Sequence, residues 1–368
     1  MKKRFSLKIA QICPRYFPNI GGVETHVKEI SEKLVKAGHD VEVITTDSTV
    51  KLNKKYMING VKVIRFGSFA PGNAYYFAPH IYFYLKKHNY DIIHAHSYHA
   101  LPAFFASLGR SGGKFVFTPH YHRHGHTVLR DLLHKPYRLF GKMIFSRADS
   151  VICVSEYEKK LVESDFKVAA KTIKIPNGIN LKEFENLRQL EIDLEERTGR
   201  EKTILYVGRL EEYKGVQYII QGLPELHDFR LRVVGKGLYE AKLRSMAKNL
   251  GAEEKIEWLK DLSRKELLEC YANADVFLML SSHEAYGITV AEALASGTPC
   301  IVAEGSALEE FVDGKTCVGI EMPITAKKVV KAVRGLKKSK RENKNGSKSV
   351  IDWEEVAERT IKIYEFSI

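Results

Sequence analysis

The sequence predicts an α/β protein of two domains, each a parallel sheet flanked by helices. Three observations carry that expectation. The 368 residues are enough for two domains of ordinary size, each with its own core. Short apolar runs recur along the chain, bounded by Gly, Pro or polar residues, as strands buried on both faces read. Several of these runs end in a glycine-containing loop that opens a helix, the unit with which α/β sheets present backbone amides to phosphate.

Composition narrows the class. Apolar residues make up 44% and charged residues 28%, as in a soluble globular protein. No run approaches the roughly 20 apolar residues of a spanning helix, and the opening MKKRFSLKIAQICPRYFP has too short an apolar core for a secretory signal. The expected location is the cytoplasm, or peripheral attachment to the inner face of a membrane. Five scattered cysteines without a C-x-x-C pair read as buried free thiols and not as a zinc site. The net charge of +13 is uneven: residues 1–180 hold 28 Lys and Arg against 13 acids, and twelve of the 14 histidines. The basic half favours an anionic partner such as a lipid phosphate or a phosphate-bearing acceptor. Nucleic acid is not expected, because no zinc finger, helix-turn-helix or ribonucleoprotein motif occurs.

In the first half, Leu7–Cys13 reads as a strand, Pro14–Gly22 as its loop, and Val23–Lys36 as a helix. Val41–Thr45 and Val61–Phe66 read as further strands. The aromatic run Tyr75–Leu85 reads as a core helix, with a membrane-interface or acceptor-contacting patch as the sharper alternative. Strand Asp91–Ala95 leads to His94, His96 and His99, and strand Lys114–Thr118 ends in PHYHRHGH. Ligands sit beyond the carboxyl ends of strands in open α/β sheets, so both histidine groups stand where ligands would be. No metal is expected at His120, His122, His124 and His126, because alternate loop residues without a carboxylate or cysteine make no defined coordination set. Leu129–Arg147 is amphipathic and basic, a helix interrupted at Pro136 and the segment best suited to a membrane surface. Ser150–Ser155 is the next strand, and Thr172–Asn180 closes the first domain.

The acidic stretch Leu181–Lys202 reads as linker plus a short helix, and Thr203–Gly208 opens the second domain. Arg209 and Lys214 follow that strand. Two cations crowded at a strand end ask for an anion, unless they form surface pairs with Glu211 and Glu212. Leu231–Gly237 is a strand and glycine turn that lacks the third glycine of a dinucleotide fingerprint, and Ile256–Leu259 is a strand. The apolar run Asp275–Leu280 then leads into SSHEAYGITVAEALASGTPCIVAE, a loop and a helix starting near Tyr286. That helix start suits an anionic group, and Gly287 lets one come close. Glu284 and Glu292 are either acceptors for sugar hydroxyls or a dipole-favoured carboxylate and a solvated helix residue. The basic stretch Lys327–Lys348 reads as a helix and a flexible loop, and Ser349–Phe366 as a capped amphipathic helix.

Glu284-x7-Glu292 with an internal Tyr-Gly pair, followed by EALASGTPCIV, resembles the signature of the retaining glycosyltransferase family 4. The loop GGVE at Gly21–Glu24, TPH at Thr118–His120, VSEYE, PNGIN, GRLEEYKG and the closing W-x-x-V-A helix resemble that family's elements in its order. One departure is Asn180, where the family has an acid. The resemblance implies the GT-B architecture, two Rossmann-like doubly wound domains with a C-terminal helix crossing back to the first. Expected boundaries are 1–180 for an acceptor-binding domain, 181–348 for a nucleotide-sugar-binding domain, and 349–368 for the returning helix. It further implies that Arg209 and Lys214 grip a nucleotide diphosphate with Gly21, Gly22 and the amides of Gly287, Ile288 and Thr289. Glu284 would hold sugar hydroxyls, Glu292 the ribose, and His120 the transferring sugar, with His122 and His124 on the acceptor side.

The expected activity is transfer of a sugar from a nucleotide-diphosphate sugar to a glycan, lipid-linked or small-molecule acceptor, with retention and without metal or cofactor. The absence of any D-x-D sequence argues against the other common glycosyltransferase architecture, in which a metal holds the diphosphate. No carboxylate is well placed for a double displacement, so attack from the front face is expected. Alternatives of the same fold are a sugar phosphorylase or synthase and a nucleotide-sugar epimerase; a non-catalytic nucleotide-sugar-binding subunit is the alternative of another class.

Overall fold

A computed structural model describes residues 6–123, 128–189, 201–336 and 350–366. The chain divides into two compact units, residues 1–178 with 353–368, and residues 179–352.

Unit 1 runs β1 (Lys8–Ile12), α1 (Gly22–Lys36), β2 (Asp40–Asp47), β3 (Lys55–Ile58), β4 (Val61–Gly67), α2 (His80–Lys87), β5 (Ile92–His96), α3 (Pro102–Gly109), β6 (Lys114–Thr118), α4 (Val128–Arg147), β7 (Ser150–Cys153), α5 (Glu156–Phe166) and β8 (Thr172–Lys174). The sheet order is β3-β4-β2-β1-β5-β6-β7-β8, parallel except for β3 against β4. Nearly continuous burial along β1, β5, β6 and β7 follows from helices lying on both faces. In α1 the buried residues Val27, Ile30, Ser31 and Leu34 recur at helical spacing, and each large apolar one contributes about 1.5–3 kcal/mol.

Two local expectations need correction. The segment 75–79 is not helical: Tyr75 and Tyr76 have positive φ (62° and 45°), Phe77 bridges Phe69, and the helix begins only at His80. Pro79 disfavours helical geometry at the residue before it. Helix α4 runs through Pro136 instead of breaking there; the missing N–H removes one hydrogen bond without ending the helix.

The chain leaves unit 1 through β9 (Gly178–Ile179). Unit 2 follows with α6 (Leu181–Gln189), β10 (Lys202–Val207), α7 (Val216–Gly222), β11 (Phe229–Val234), α8 (Glu240–Asn249), β12 (Ile256–Leu259), α9 (Arg264–Asn273), β13 (Val276–Met279), α10 (Ile288–Ala295), β14 (Cys300–Ala303), β15 (Cys317–Ile320), α11 (Ala326–Gly335) and β16 (Ile351–Asp352). Its sheet, β12-β11-β10-β13-β14-β15, is wholly parallel and reverses direction of growth between β10 and β13. This is the doubly wound Rossmann-like order. All five cysteines are buried and unpaired. No helix among the described residues is long and apolar enough to cross a membrane.

The last helix, α12 (Trp353–Phe366), belongs to unit 1 and packs against α1. Its buried face carries Trp353, Val356, Ala357, Thr360, Ile361 and Tyr364. Lys33 pairs with Glu354, and Gln11 Nε2 donates to the Tyr364 hydroxyl at 3.1 Å.

Candidate active site

In unit 2 the crevice at the β10/β13 reversal is where an α/β sheet of this order takes ligands. Beyond β10 the chain passes Gly208 and Arg209 and makes a 3-10 turn over Glu212–Lys214. Ser282 N–H donates to Tyr213 O (2.9 Å), which ties this turn to the loop after β13. The tie brings Lys214 Nζ onto Glu284 Oε1, an ion pair whose side chains are only 11% and 18% exposed. Arg209 donates to the Tyr213 hydroxyl at 2.8 Å. Burial raises that hydroxyl's pKa, while Lys214 and Arg209 pull against the rise. Helix α10 starts beside Glu284, with Gly287 at φ 117° as its N-cap. A Cβ on Gly287 would meet Leu308 Cδ2 at 2.6 Å, so the tight entry into the helix needs glycine.

Glu292, the fifth residue of α10, lies about one turn into the helix and is buried. One carboxylate oxygen accepts from Arg264 (2.6 Å) and the other from the Tyr271 hydroxyl (2.9 Å). Arg264 also reaches Glu183 at 2.8 Å. The reading of Glu292 as a solvated helix residue is therefore wrong, and so is the pairing of Lys214 with Glu211 or Glu212. Arg264 and Tyr271 were not visible as site residues: the capping box of Ser263 and Glu266 marks where α9 begins, but nothing in it points to Glu292.

In unit 1 the order reverses between β1 and β5, and the histidines collect there. His94 and His96 end β5, His120 follows β6 at φ 46°, and His26 lies on the first turns of α1, four residues after Gly22. Ring centroids are 5.3 Å apart for His26 and His96, and 5.0 Å for His26 and His120. Burial lowers the pKa of His26 to about 4, opposed by its hydrogen bond to Asn177. His94, His96 and His120 are held well below the usual imidazole range, by burial first and by neighbouring imidazoles second. The four rings are neutral at neutral pH.

Glu158 anchors the loop that carries His120. It is fully buried, and its carboxylate accepts from the backbone N–H of Tyr121 with one oxygen and of Val154 with the other (2.6 Å). Ser155 caps the helix bearing it by accepting from Glu158 N–H at 2.9 Å. The VSEYE segment thus holds the His120 loop at the end of β6. Gly21 and Gly22 begin α1, where buried Glu24 pairs with Arg15 at 2.7 Å. His122 stacks on His99 with centroids 4.1 Å apart. His124 and His126 lie outside the described residues.

Residues 20–183 match the family described as Glycosyltransferase Family 4, and residues 189–352 match Glycosyl transferases group 1. The chain belongs to the family 4 glycosyltransferases. This glycosyltransferase is 29% identical over 333 residues to alpha-monoglucosyldiacylglycerol synthase of Streptococcus pneumoniae, covering 84% of this chain and 74% of that one. It is 23% identical to the GPI3 subunit of the phosphatidylinositol N-acetylglucosaminyltransferase of Saccharomyces cerevisiae, over 97% of this chain and 82% of that one. Among solved structures, sucrose-phosphate synthase of Thermosynechococcus elongatus superposes with a TM-score of 0.78 at 20% identity, covering 97% and 98% of the two chains. Anabaena HepE, solved with UDP and glucose, gives 0.76 at 17% identity, covering 98% and 99%. These two confirm the GT-B fold.

Within unit 2 the glycosyltransferase brings Lys214 and Glu284 into contact, with Arg209 tied in through Tyr213 and the Gly287–Thr289 helix start adjoining Glu284. Within unit 1 it groups His120 with His26 and His96, two residues not singled out as site residues.

Proposed function

We propose that this glycosyltransferase moves a hexosyl group from a nucleotide-diphosphate sugar, held by unit 2, to an anionic or lipid-linked acceptor held by unit 1. The observation that carries the reading is the Lys214–Glu284 ion pair at the β10/β13 reversal. As a stabilising device such a pair is poor, because desolvating two charges offsets most of their attraction. As a donor site it makes sense. A diphosphate gives Lys214 a second anion, and Arg209 and the amides of Gly287, Ile288 and Thr289 add to the positive field. Glu284 is then free to accept from sugar hydroxyls.

Charge on the leaving diphosphate is neutralised by the protein, which is usually the largest catalytic term. Arg209 and Lys214 therefore act in the reaction as well as in binding. Glu292 offers its remaining lone pairs to the ribose while Arg264 and Tyr271 hold the carboxylate still. Gly21 and Gly22 give the diphosphate access to the start of α1, His120 contacts the transferring sugar, and His122 and His124 serve the acceptor. Transfer retains the anomeric configuration and needs no metal ion.

Four observations support the acceptor reading. Residues 1–180 carry a net +15. On α4, Arg138 and Lys142 stand beside Leu139 (65% exposed) and Phe140 (36% exposed), an arrangement suited to an anionic lipid surface. A groove of about 670 Å³ at the same helix is lined by Arg138, Lys142, Lys167 and Lys171, with Asp165 as its one acidic residue. Both curated relatives described above are named for transfer onto lipids. The protein works in the cytoplasm, peripherally on the inner membrane face.

The test is a thermal-shift screen against UDP, GDP, ADP and their sugar conjugates, followed by sedimentation with anionic and neutral vesicles. One nucleotide at a hundredfold excess over Kd stabilises the fold by about 2.7 kcal/mol. That shift disappears in Lys214→Ala and Glu292→Ala. No shift with any nucleoside diphosphate refutes the donor reading. Vesicle binding that ignores salt and lipid charge refutes the acceptor reading.

A further inference from the structure

Three imidazoles from three different elements converge in unit 1. His26 comes from α1, His96 from the end of β5, and His120 from the loop after β6. One ring nitrogen of each lies within 4.8 Å of the other two. The nitrogens without a hydrogen-bond partner among the described residues are His26 Nε2, His96 Nδ1 and His120 Nε2. Buried polar atoms are rarely left unsatisfied, so three in one place call for an explanation.

Their surroundings decide which of them carry lone pairs. Gln11 is the key, since its NH2 can only donate and its Oε1 can only accept. Nε2 of Gln11 donates to the Tyr364 hydroxyl, whose proton goes to His94 Nδ1 at 2.6 Å, and His94 Nε2–H donates to Thr118 Oγ1 at 2.8 Å. Gln11 Oε1 accepts from His96 Nε2–H at 2.7 Å, which leaves His96 Nδ1 as a bare lone pair. In the same way Asn177 Oδ1 accepts from His26 Nδ1–H at 2.6 Å, and His26 Nε2 is a bare lone pair. Two neutral imidazoles are thus locked in complementary tautomers, each with one lone-pair nitrogen left without a partner among the described residues, on rings that adjoin one another. The third, His120, sits on the more open side, on a loop. An imidazole whose far N–H is held by a carbonyl or carboxamide oxygen is the arrangement found behind metal-bound histidine.

We propose that His26, His96 and His120 form a binding site for one late first-row divalent cation of the zinc type. Neutral imidazoles are the ligands these ions favour. Tetrahedral coordination at Zn–N distances of about 2.0–2.1 Å needs nitrogens about 3.4 Å apart, so the cluster closes by roughly 1–1.5 Å, through His120. Three histidines leave a fourth position for water or hydroxide. The ion is not part of the transfer reaction. It sequesters His120, so a filled site inhibits transfer; this consequence, unlike binding itself, rests on the role proposed above for His120.

The experiment titrates the full-length protein, stripped with EDTA and dialysed, with Co2+ alone and follows visible absorption. A one-to-one end point with the intense band of four-coordinate cobalt is expected, displaced by Zn2+. The band is lost in His120→Ala and in His96→Gln, and is kept in His122→Ala. Asn177→Asp, which backs His26 with a carboxylate, tightens binding by about tenfold. Far-UV circular dichroism checks that each variant is folded, and His120, the least buried of the three, is the variant of choice. Absence of the band in the wild type, or a band that survives His120→Ala, overturns the site; a water held by the His120 Nε2–H tautomer then fills the space. If the band behaves as expected but Zn2+ leaves transfer unaffected, the metal site stands and the placement of His120 beside the sugar falls.

Discussion

Glu158 offers the sharpest test of how this fold holds its candidate catalytic loop. Its two oxygens each take one buried backbone N–H, from Tyr121 and from Val154. A hydrogen bond to a charged group contributes about 1.5–3 kcal/mol, and a stranded buried N–H forfeits that amount. Glu158→Ala strands both donors and should cost about 3–6 kcal/mol. Glu158→Gln keeps one acceptor oxygen and turns an NH2 toward the other donor, so it should cost about 1.5–3 kcal/mol. Against a total stability of about 5–15 kcal/mol the first variant is severe and the second tolerable.

The two tryptophans make the measurement clean, since Trp353 lies in unit 1 and Trp258 in unit 2. In a Trp258→Phe background, urea unfolding followed by fluorescence reports unit 1 alone, which matters because a two-unit chain need not unfold in one step. The glutamine variant should also lower kcat while nucleotide affinity, measured by titration, stays unchanged. An alanine variant within about 0.5 kcal/mol of the parent, or a glutamine variant as damaging as alanine, would refute the reasoning.

Two further outcomes follow from unit 2. Gly235 has φ 145°, and a Cβ there would lie 1.9 Å from Gly208 O, backbone against backbone; Gly235→Ala should therefore destabilise unit 2 by more than about 3 kcal/mol, read as a fall in urea midpoint. Asp313 accepts from the N–H groups of Lys315, Thr316 and Cys317 and from the Thr316 hydroxyl. Burial pushes its carboxyl pKa up, but those bonds outweigh burial and hold it below the usual carboxylate range. A group with a depressed folded pKa stabilises the fold above its unfolded pKa of about 3.9, and that contribution is lost as pH falls through the folded value. The melting-temperature gap between the parent and Asp313→Asn should accordingly be full at neutral pH and close as the pH falls below about 3.9. A gap that is constant with pH contradicts the assignment.

Much of the fold could be read from residue order alone. Strand β6 occupies Lys114–Thr118 as expected, because Gly112 and Gly113 precede it, Pro119 follows it, and four of its five residues are buried. Helix α12 starts at Trp353, four residues after the expected Ser349, because Ile351 and Asp352 are taken up in β16. The segment 75–79 defeated the reading since aromatic density signals burial without specifying backbone geometry, and Phe77 and Phe83 remain 49% and 60% exposed. The site divides in the same way. Candidate side chains such as Lys214, Glu284 and His120 stand at strand ends, where local pattern suffices. Their partners do not: Glu284 meets Lys214 across 70 positions, and Glu292 meets Arg264 across 28. Those meetings depend on which strands become neighbours, and β1 with β5, or β10 with β13, are decided by packing of the whole sheet.

Helix α12 gives the order of synthesis a physical meaning. Residues 179–352 are contiguous and can reach their final contacts without the last helix. Unit 1 cannot, because Gln11 and His94 wait for Tyr364, and His26 waits for Trp353. The half that emerges first is therefore completed last, against the usual N-terminal-first sequence of domain folding. A chain cut just before Tyr364 would leave a finished donor-side unit joined to one in which Gln11 and His94 lack their closing partner.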